Sequence, residues 1–188
     1  MFLVFDSEGD NLLPDITKFH CFVFSTVSMD KWFIFANLSE IDPEWKRKKS
    51  EQLPIEWFEM DELTDWIAAE VTGIACHNLF GFDLPAMRKL GYITDYDLDP
   101  DTIDDKSVRI VDTLALSRLM HPDRMLPTGC PMKVYNPVTG KMDTIGPHGL
   151  ASWGYRMNNL KVEVNDWRDQ PIETYLHRCI EDVKINIF

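Results

Sequence analysis

Asp6 and Glu8 follow directly on the apolar run Phe2-Leu3-Val4-Phe5, a stretch with the length of a buried strand. In an extended chain, side chains two apart project to one face, so the two carboxylates aim at a single point. Like charges that close repel and raise each other's pKa unless a cation lies between them, and a divalent ion held by oxygen ligands is the usual remedy. The pair reads as half of a metal site, although an isolated Asp-x-Glu also occurs as two solvated loop acids. Two further carboxylates stand where elements meet. Asp83 opens a helix expected over 83–90, after the turn His77-Asn78-Leu79-Phe80-Gly81-Phe82. It has an ordinary reading as a helix cap as well. Asp182 lies among the apolar positions of a final helix, where an unpaired charge is costly.

These residues need elements to position them. After the first strand, Asn11-Leu12-Leu13-Pro14 makes a turn whose two leucines serve either as anchors onto the core or as an apolar wedge beside the acids. The runs Phe19 to Ser25 and Trp32 to Ala36 continue as strands, which with the first suggest an antiparallel meander. Asp42 to Gln52 is charged and contains Pro43, and is read as a loop. Leu63, Trp66, Ile67, Ala69 and Val71 predict an amphipathic helix over 59–71 with Asp61 as its cap. Ile74-Ala75-Cys76 is a short buried strand, and the six aspartates between 95 and 105 are a surface loop. Val108 to Val111 forms another strand, and Asp112 caps the helix carrying Leu114, Leu116, Leu119 and Met120. Lys133-Val134-Tyr135 and Lys141-Met142-Asp143 flank a turn sequence and predict a hairpin whose lysines are candidates for phosphate contact. A short helix is expected from His148 to Met157. The last helix starts at Pro171 and buries Ile172, Tyr175, Leu176, Cys179, Ile180, Val183 and Ile187.

The chain has 188 residues, 45% of them hydrophobic, which suits one globular domain over 1–188 with an α/β core. Nothing in it looks like a signal peptide or approaches the ~20 apolar residues of a membrane span, so a cytoplasmic protein with no membrane partner is expected. The four cysteines lack CxxC spacing, and disulfides are not expected. His121, Cys130 and His148 bound one long loop, but their spacing fits no standard zinc pattern. A net charge of −12 argues against a broad basic surface for gripping nucleic acid. It leaves open nucleic acid as a substrate held at an acidic, metal-binding pocket.

Taken together, Asp-x-Glu after the first strand, His-Asn-x-x-x-Phe-Asp before a helix, and Cys179-Ile180-Glu181-Asp182-Val183 in the last helix resemble the DnaQ-like (DEDD) 3′-5′ exonucleases. The similarity is to the proofreading domain at the start of family A DNA polymerases of short-tailed phages. Supporting stretches are Thr17 to Cys21, Val111 to Leu119 and His148 to Arg156, so the resemblance covers nearly the whole chain. It implies a ribonuclease H-like fold with a mixed central sheet flanked by helices. It further implies two Mg²⁺ or Mn²⁺ ions on Asp6, Glu8, Asp83 and Asp182, removing nucleotides from the 3′ end of single-stranded DNA or a frayed primer. Leu12 resembles the residue that wedges beside the terminal base, and Asn78 and Phe82 resemble contacts to the substrate strand. A polymerase domain or subunit is the implied partner, in the host cytoplasm if the protein is phage-encoded, whether the chain is cut from a polymerase or encoded separately.

One position departs from the phage pattern. Those polymerases resemble the branch with tyrosine four residues before the last aspartate, where this chain has Arg178. His177, five before Asp182, resembles the histidine branch, in which a neutral imidazole accepts the proton of the attacking water. A five-residue offset on an unbroken helix leaves the two side chains roughly 140° apart, against ~40° for four residues. His177 is the expected base, and Arg178 a surface or phosphate-contacting group. Two other functions stay open: a catalytically impaired module of the same fold that binds DNA or a polymerase, and an exoribonuclease.

Overall fold

The computed structural model describes residues 1–93, 108–136, 140–161 and 170–187. The acidic run 95–105 and the hairpin's tip at 137–139 lie outside them. Six strands form one sheet: β1 (Phe2–Gly9), β2 (Phe19–Ser25), β3 (Trp32–Ala36), β4 (Ile55–Glu59), β5 (Gly73–Cys76) and β6 (Arg109–Asp112), in the order β4-β3-β2-β1-β5-β6. The expected meander β1-β2-β3 is antiparallel, and β4 and β5 add parallel to β3 and β1, with β6 parallel to β5. Only β2 runs against the rest. The sheet is therefore mixed, and helices cover both of its faces.

Burial on two faces explains why the strands read as continuous apolar runs and not as alternations. Leu3, Phe5, Phe22, Phe24, Phe33 and Phe35 project to one side. There they meet Leu63 and Ile67 of helix α2 (Leu63–Glu70) and Leu84, Ala86 and Met87 of α3 (Asp83–Lys89). Val4, Cys21, Val23, Trp32, Ile34 and Ala36 project to the other. They pack on Ile172, Tyr175, Leu176, Cys179, Ile180 and Val183 of α6 (Ile172–Ile187), which has the apolar stripe its sequence predicts.

Three expectations need correction. The charged segment read as a loop is a ten-residue helix, α1 (Pro43–Gln52): Asp42 accepts a bond from the Glu44 amide at 2.9 Å, and Pro43 sits in the first turn, where its missing N–H costs nothing. The helix buries none of its residues, and Arg47 bridges Glu44 and Glu51 along its exposed face, so no apolar period announces it. The next helix begins later than expected, because Ile55–Glu59 is strand β4. Its cap is not Asp61: a turn at Met60–Glu62 is closed by a reciprocal capping box between Glu59 and Glu62.

The remaining elements follow the sequence closely. Asp112 caps α4 (Thr113–Met120) through the amides of Leu114 and Ala115 at 2.9 and 3.1 Å. Strands β7 (Lys133–Asn136) and β8 (Lys141–Thr144) pair as the predicted hairpin. Helix α5 (Leu150–Met157) ends on Asn158 in the left-handed region, φ 53°. All four cysteines are free. Among the described residues, no helix is long and apolar enough to cross a membrane.

Candidate metal centre

The alternation along β1 decides which side each polar residue serves. Asp6 and Glu8 share the face of Val4, toward α6, while Ser7 faces the α3 side. Ser7 Oγ donates to Asp83 Oδ1 at 2.5 Å, and Cys76 Sγ, at the end of β5, donates to Asp83 Oδ2 at 3.3 Å. From α6, Cys179 Sγ donates to Asp6 Oδ2 at 3.3 Å. Ligand atoms of Asp6, Glu8 and Asp182 lie within 4.8 Å of one another, as do those of Asp6, Cys76 and Asp83, so Asp6 belongs to both groups. The four carboxylates picked out in the sequence thus converge at one end of the sheet from β1, α3 and α6. Asp83 is 4% exposed and Asp182 2%, burial that the surface-acid and simple-cap readings do not account for.

Packing carboxylates together in a low-dielectric corner favours their neutral forms. Burial, then the charges of Asp182, Glu8 and Asp83, push Asp6 well above the usual carboxylate range. Burial raises Glu8 to about 7 although the Arg178 guanidinium opposes the rise. Asp83 is raised to about 6 by burial, against the bonds from Ser7 and Cys76 that favour its anion. Asp182 Oδ1 is buried with no hydrogen-bond partner, an arrangement that costs free energy unless something else satisfies it. Four hard oxygen donors, three of them held reluctant to ionise, and an orphaned carboxylate oxygen suit a divalent cation such as Mg²⁺ or Mn²⁺. Cys76 is a poor candidate for such an ion, since burial holds its thiol well above its usual pKa.

Two cations also enter the centre. Arg178 Nε lies 2.9 Å from Glu8 Oε1 and 3.6 Å from Asp182 Oδ2, and Lys161 Nζ lies 2.9 Å from the same Asp182 oxygen. Arg178 is therefore not a surface group, one of the two expectations for it. The four-residue offset places it on the flank of Asp182, as helix geometry requires. His177 lies on the opposite flank of the unbroken α6. The charges around it are Lys49, Glu181 and Lys184, and burial lowers its pKa. The structure does not bring His177 to the four carboxylates.

The expected substrate contacts surround this end of the sheet. Leu12 is 72% exposed, and Asn78 is exposed with φ 65°. The Asn78 side chain fills the space beside Gly81, where a Cβ would stand 2.4 Å from its Oδ1. Phe82 is half-buried against the α3-side core. The turn carrying Asn78 is tied down at Phe80, whose amide donates to Asp112 Oδ2 at 3.0 Å. His121, Cys130 and His148 do not converge; His148 Nδ1 instead shares a 2.9 Å hydrogen bond with Ser117 Oγ. Lys161 had no signal in the sequence, since it sits in irregular chain beyond α5 and reaches Asp182 only through the tertiary fold.

No protein-family model matches the chain. The DNA-directed DNA polymerase of Enterobacteria phage T3 is 28% identical over 173 residues, 87% of this chain and 20% of that protein. The chain is distantly similar in sequence to this phage polymerase. The same-named enzyme of Escherichia phage T7 is 28% identical over 170 residues, with the same two coverages. The chain spans about a fifth of the length of these relatives.

Proposed function

We propose that this protein is a metal-dependent 3′-5′ exodeoxyribonuclease of the proofreading, DnaQ-like kind, with residues 1–188 forming one ribonuclease H-like domain. The observation that carries the reading is the convergence of Asp6, Glu8, Asp83 and Asp182 from three separated elements onto one corner of the sheet. These four would hold two divalent ions. When bound, such ions supply an activated water on one side of a phosphodiester and stabilisation of the leaving oxygen on the other. The chain's own part is positional. Ser7 and Cys76 fix the rotamer of Asp83, and Cys179 fixes that of Asp6, so the carboxylates are set before substrate arrives. Leu12 and Phe82 offer apolar surface on which a terminal base can stack without sequence preference, and Asn78 an exposed amide beside it.

His177 is left out of the proposed proton-handling set because it faces Lys49 and Glu181 on the far flank of α6. DNA, not RNA, is the proposed substrate, on the strength of the relatives named DNA-directed DNA polymerase, and a polymerase domain or subunit is the proposed partner. The ion pair between Arg178 and Glu8 favours one second reading, a catalytically impaired DNA- or polymerase-binding module.

The test uses a single-stranded DNA oligonucleotide labelled at its 5′ end, with a matched RNA strand in parallel. Stepwise shortening with Mg²⁺ or Mn²⁺ that stops in EDTA is the expected result. Metal stabilisation is worth several kcal/mol, so Asp6→Ala should slow cleavage by about 10³-fold. An intact DNA strand under every metal condition sinks the exonuclease reading and leaves the binding module.

A further inference from the structure

We propose that the Arg178 guanidinium, backed by Lys161, is a resident cation at the Glu8–Asp182 end of the centre, so that the protein takes one divalent ion readily and a second only when Arg178 withdraws. The proposal rests on the metal-dependent reading above and goes beyond it, because it divides the centre into two unequal halves.

Geometry makes the division. At one half, the carboxyl groups of Glu8 and Asp182 are met by two positive charges: Arg178 at 2.9 Å from Glu8 and 3.6 Å from Asp182, and Lys161 at 2.9 Å from Asp182. The side chains of Arg178 and Lys161 are only 15% and 24% exposed, so both cations are held inside and water screens them little. At the other half, the side-chain donors to Asp6 and Asp83 among the described residues are the neutral groups of Ser7, Cys76 and Cys179, and the positive charge that acts on Asp6 is that of Lys161, which is paired with Asp182. Among the described residues no cation forms an ion pair with either carboxyl group of that half, and a divalent ion supplies that charge. At the Arg178 half, two cations are already in place, and an added ion would share Asp182 Oδ2 with both and be repelled by them.

Arg178 cannot vacate its place by losing a proton, since a guanidinium stays charged at any ordinary pH. It leaves only by swinging its side chain. Its fork of donors matches a phosphate as well as a carboxylate, so the phosphodiester of an incoming strand is a natural destination.

The experiment titrates the full chain, stripped with EDTA, with Mn²⁺ alone and counts bound ions from the electron paramagnetic resonance signal of the free ion. The wild-type chain should take up one ion in its tight phase. Arg178→Gln should bind a second at least about tenfold more tightly than wild type does, ~1.4 kcal/mol. Arg178→Lys, which keeps the charge, should resemble wild type. Circular dichroism of each variant reports whether it folds. Two ions of matched affinity in the wild-type chain overturn the proposal whatever the variants do, and leave the nuclease reading standing. Unchanged stoichiometry and affinity in a folded Arg178→Gln overturn it also. No ion bound by wild type or by either variant overturns both readings together.

Discussion

Replacing Glu8 by glutamine tests whether the centre is built at a cost to the metal-free fold. Glu8 is 8% exposed, and burial raises its pKa from 4.5 to about 7. Between those values the folded chain holds a proton that the unfolded chain has lost, so this group's contribution to stability falls as pH rises through the window and levels off above about 7. At ~1.36 kcal/mol for each pH unit, the fall amounts to roughly 3 kcal/mol. His77 acts with the opposite sign over part of the same range, because burial lowers it from 6.5 to about 4. The difference between Glu8→Gln and wild type cancels the His77 contribution, and urea denaturation in EDTA at a series of pH values measures it. The two proteins should be equally stable near pH ~4.5, and the glutamine variant should be more stable by roughly 3 kcal/mol at about pH 8. Mn²⁺ at a hundred times the Kd of the Glu8–Asp182 half should narrow the gap, since an ion bound there by wild type alone stabilises it by about 2.7 kcal/mol. A stability difference that does not vary with pH, or that grows in favour of wild type as pH rises in EDTA, refutes the reasoning.

Other substitutions probe the parts that hold the centre together. Gly154→Ala would place a Cβ 2.6 Å from the Asn159 carbonyl oxygen and 3.2 Å from the Lys161 amide, so it should displace the backbone bearing Lys161 and lower stability by about 1–3 kcal/mol in thermal denaturation. Asp112→Ala removes the cap of α4 and the acceptor for the Phe80 amide, and should cost about 1–3 kcal/mol by urea denaturation. Leu12→Ala should leave stability within about 0.5 kcal/mol, given its exposure, while changing the ratio of cleavage rates on frayed and fully paired DNA ends.

What the sequence discloses here follows from what each element needs. Strands buried on both faces announce themselves as apolar runs, and α6 as a stripe at helical spacing, because tertiary packing demands those residues in any context. Asp182 was legible because an unpaired acid among apolar helix positions is costly, whereas Asp6, Glu8 and Asp83, each with an ordinary reading of its own, stood out through the family that the whole set resembles. Helix α1 was hidden because it buries nothing and is held by a cap and by ion pairs along its own surface. Lys161, and the partners of Arg178, were hidden for another reason: a long basic side chain reaches its partner across the fold, and residue type says nothing about where its head will lie. The family's five-residue spacing pointed to His177, whereas the turn angle of an unbroken helix carries that ring to the opposite flank.

The strand β1 serves two layers at once, sending Asp6 and Glu8 to one and Ser7 to the other. The arrangement is written in odd and even positions. Deleting or inserting one residue ahead of Asp6 would leave the strand intact and exchange those assignments, turning the acids toward α3 and the hydroxyl toward α6. The count of residues ahead of Asp6 is therefore as much a part of the centre as the acids themselves.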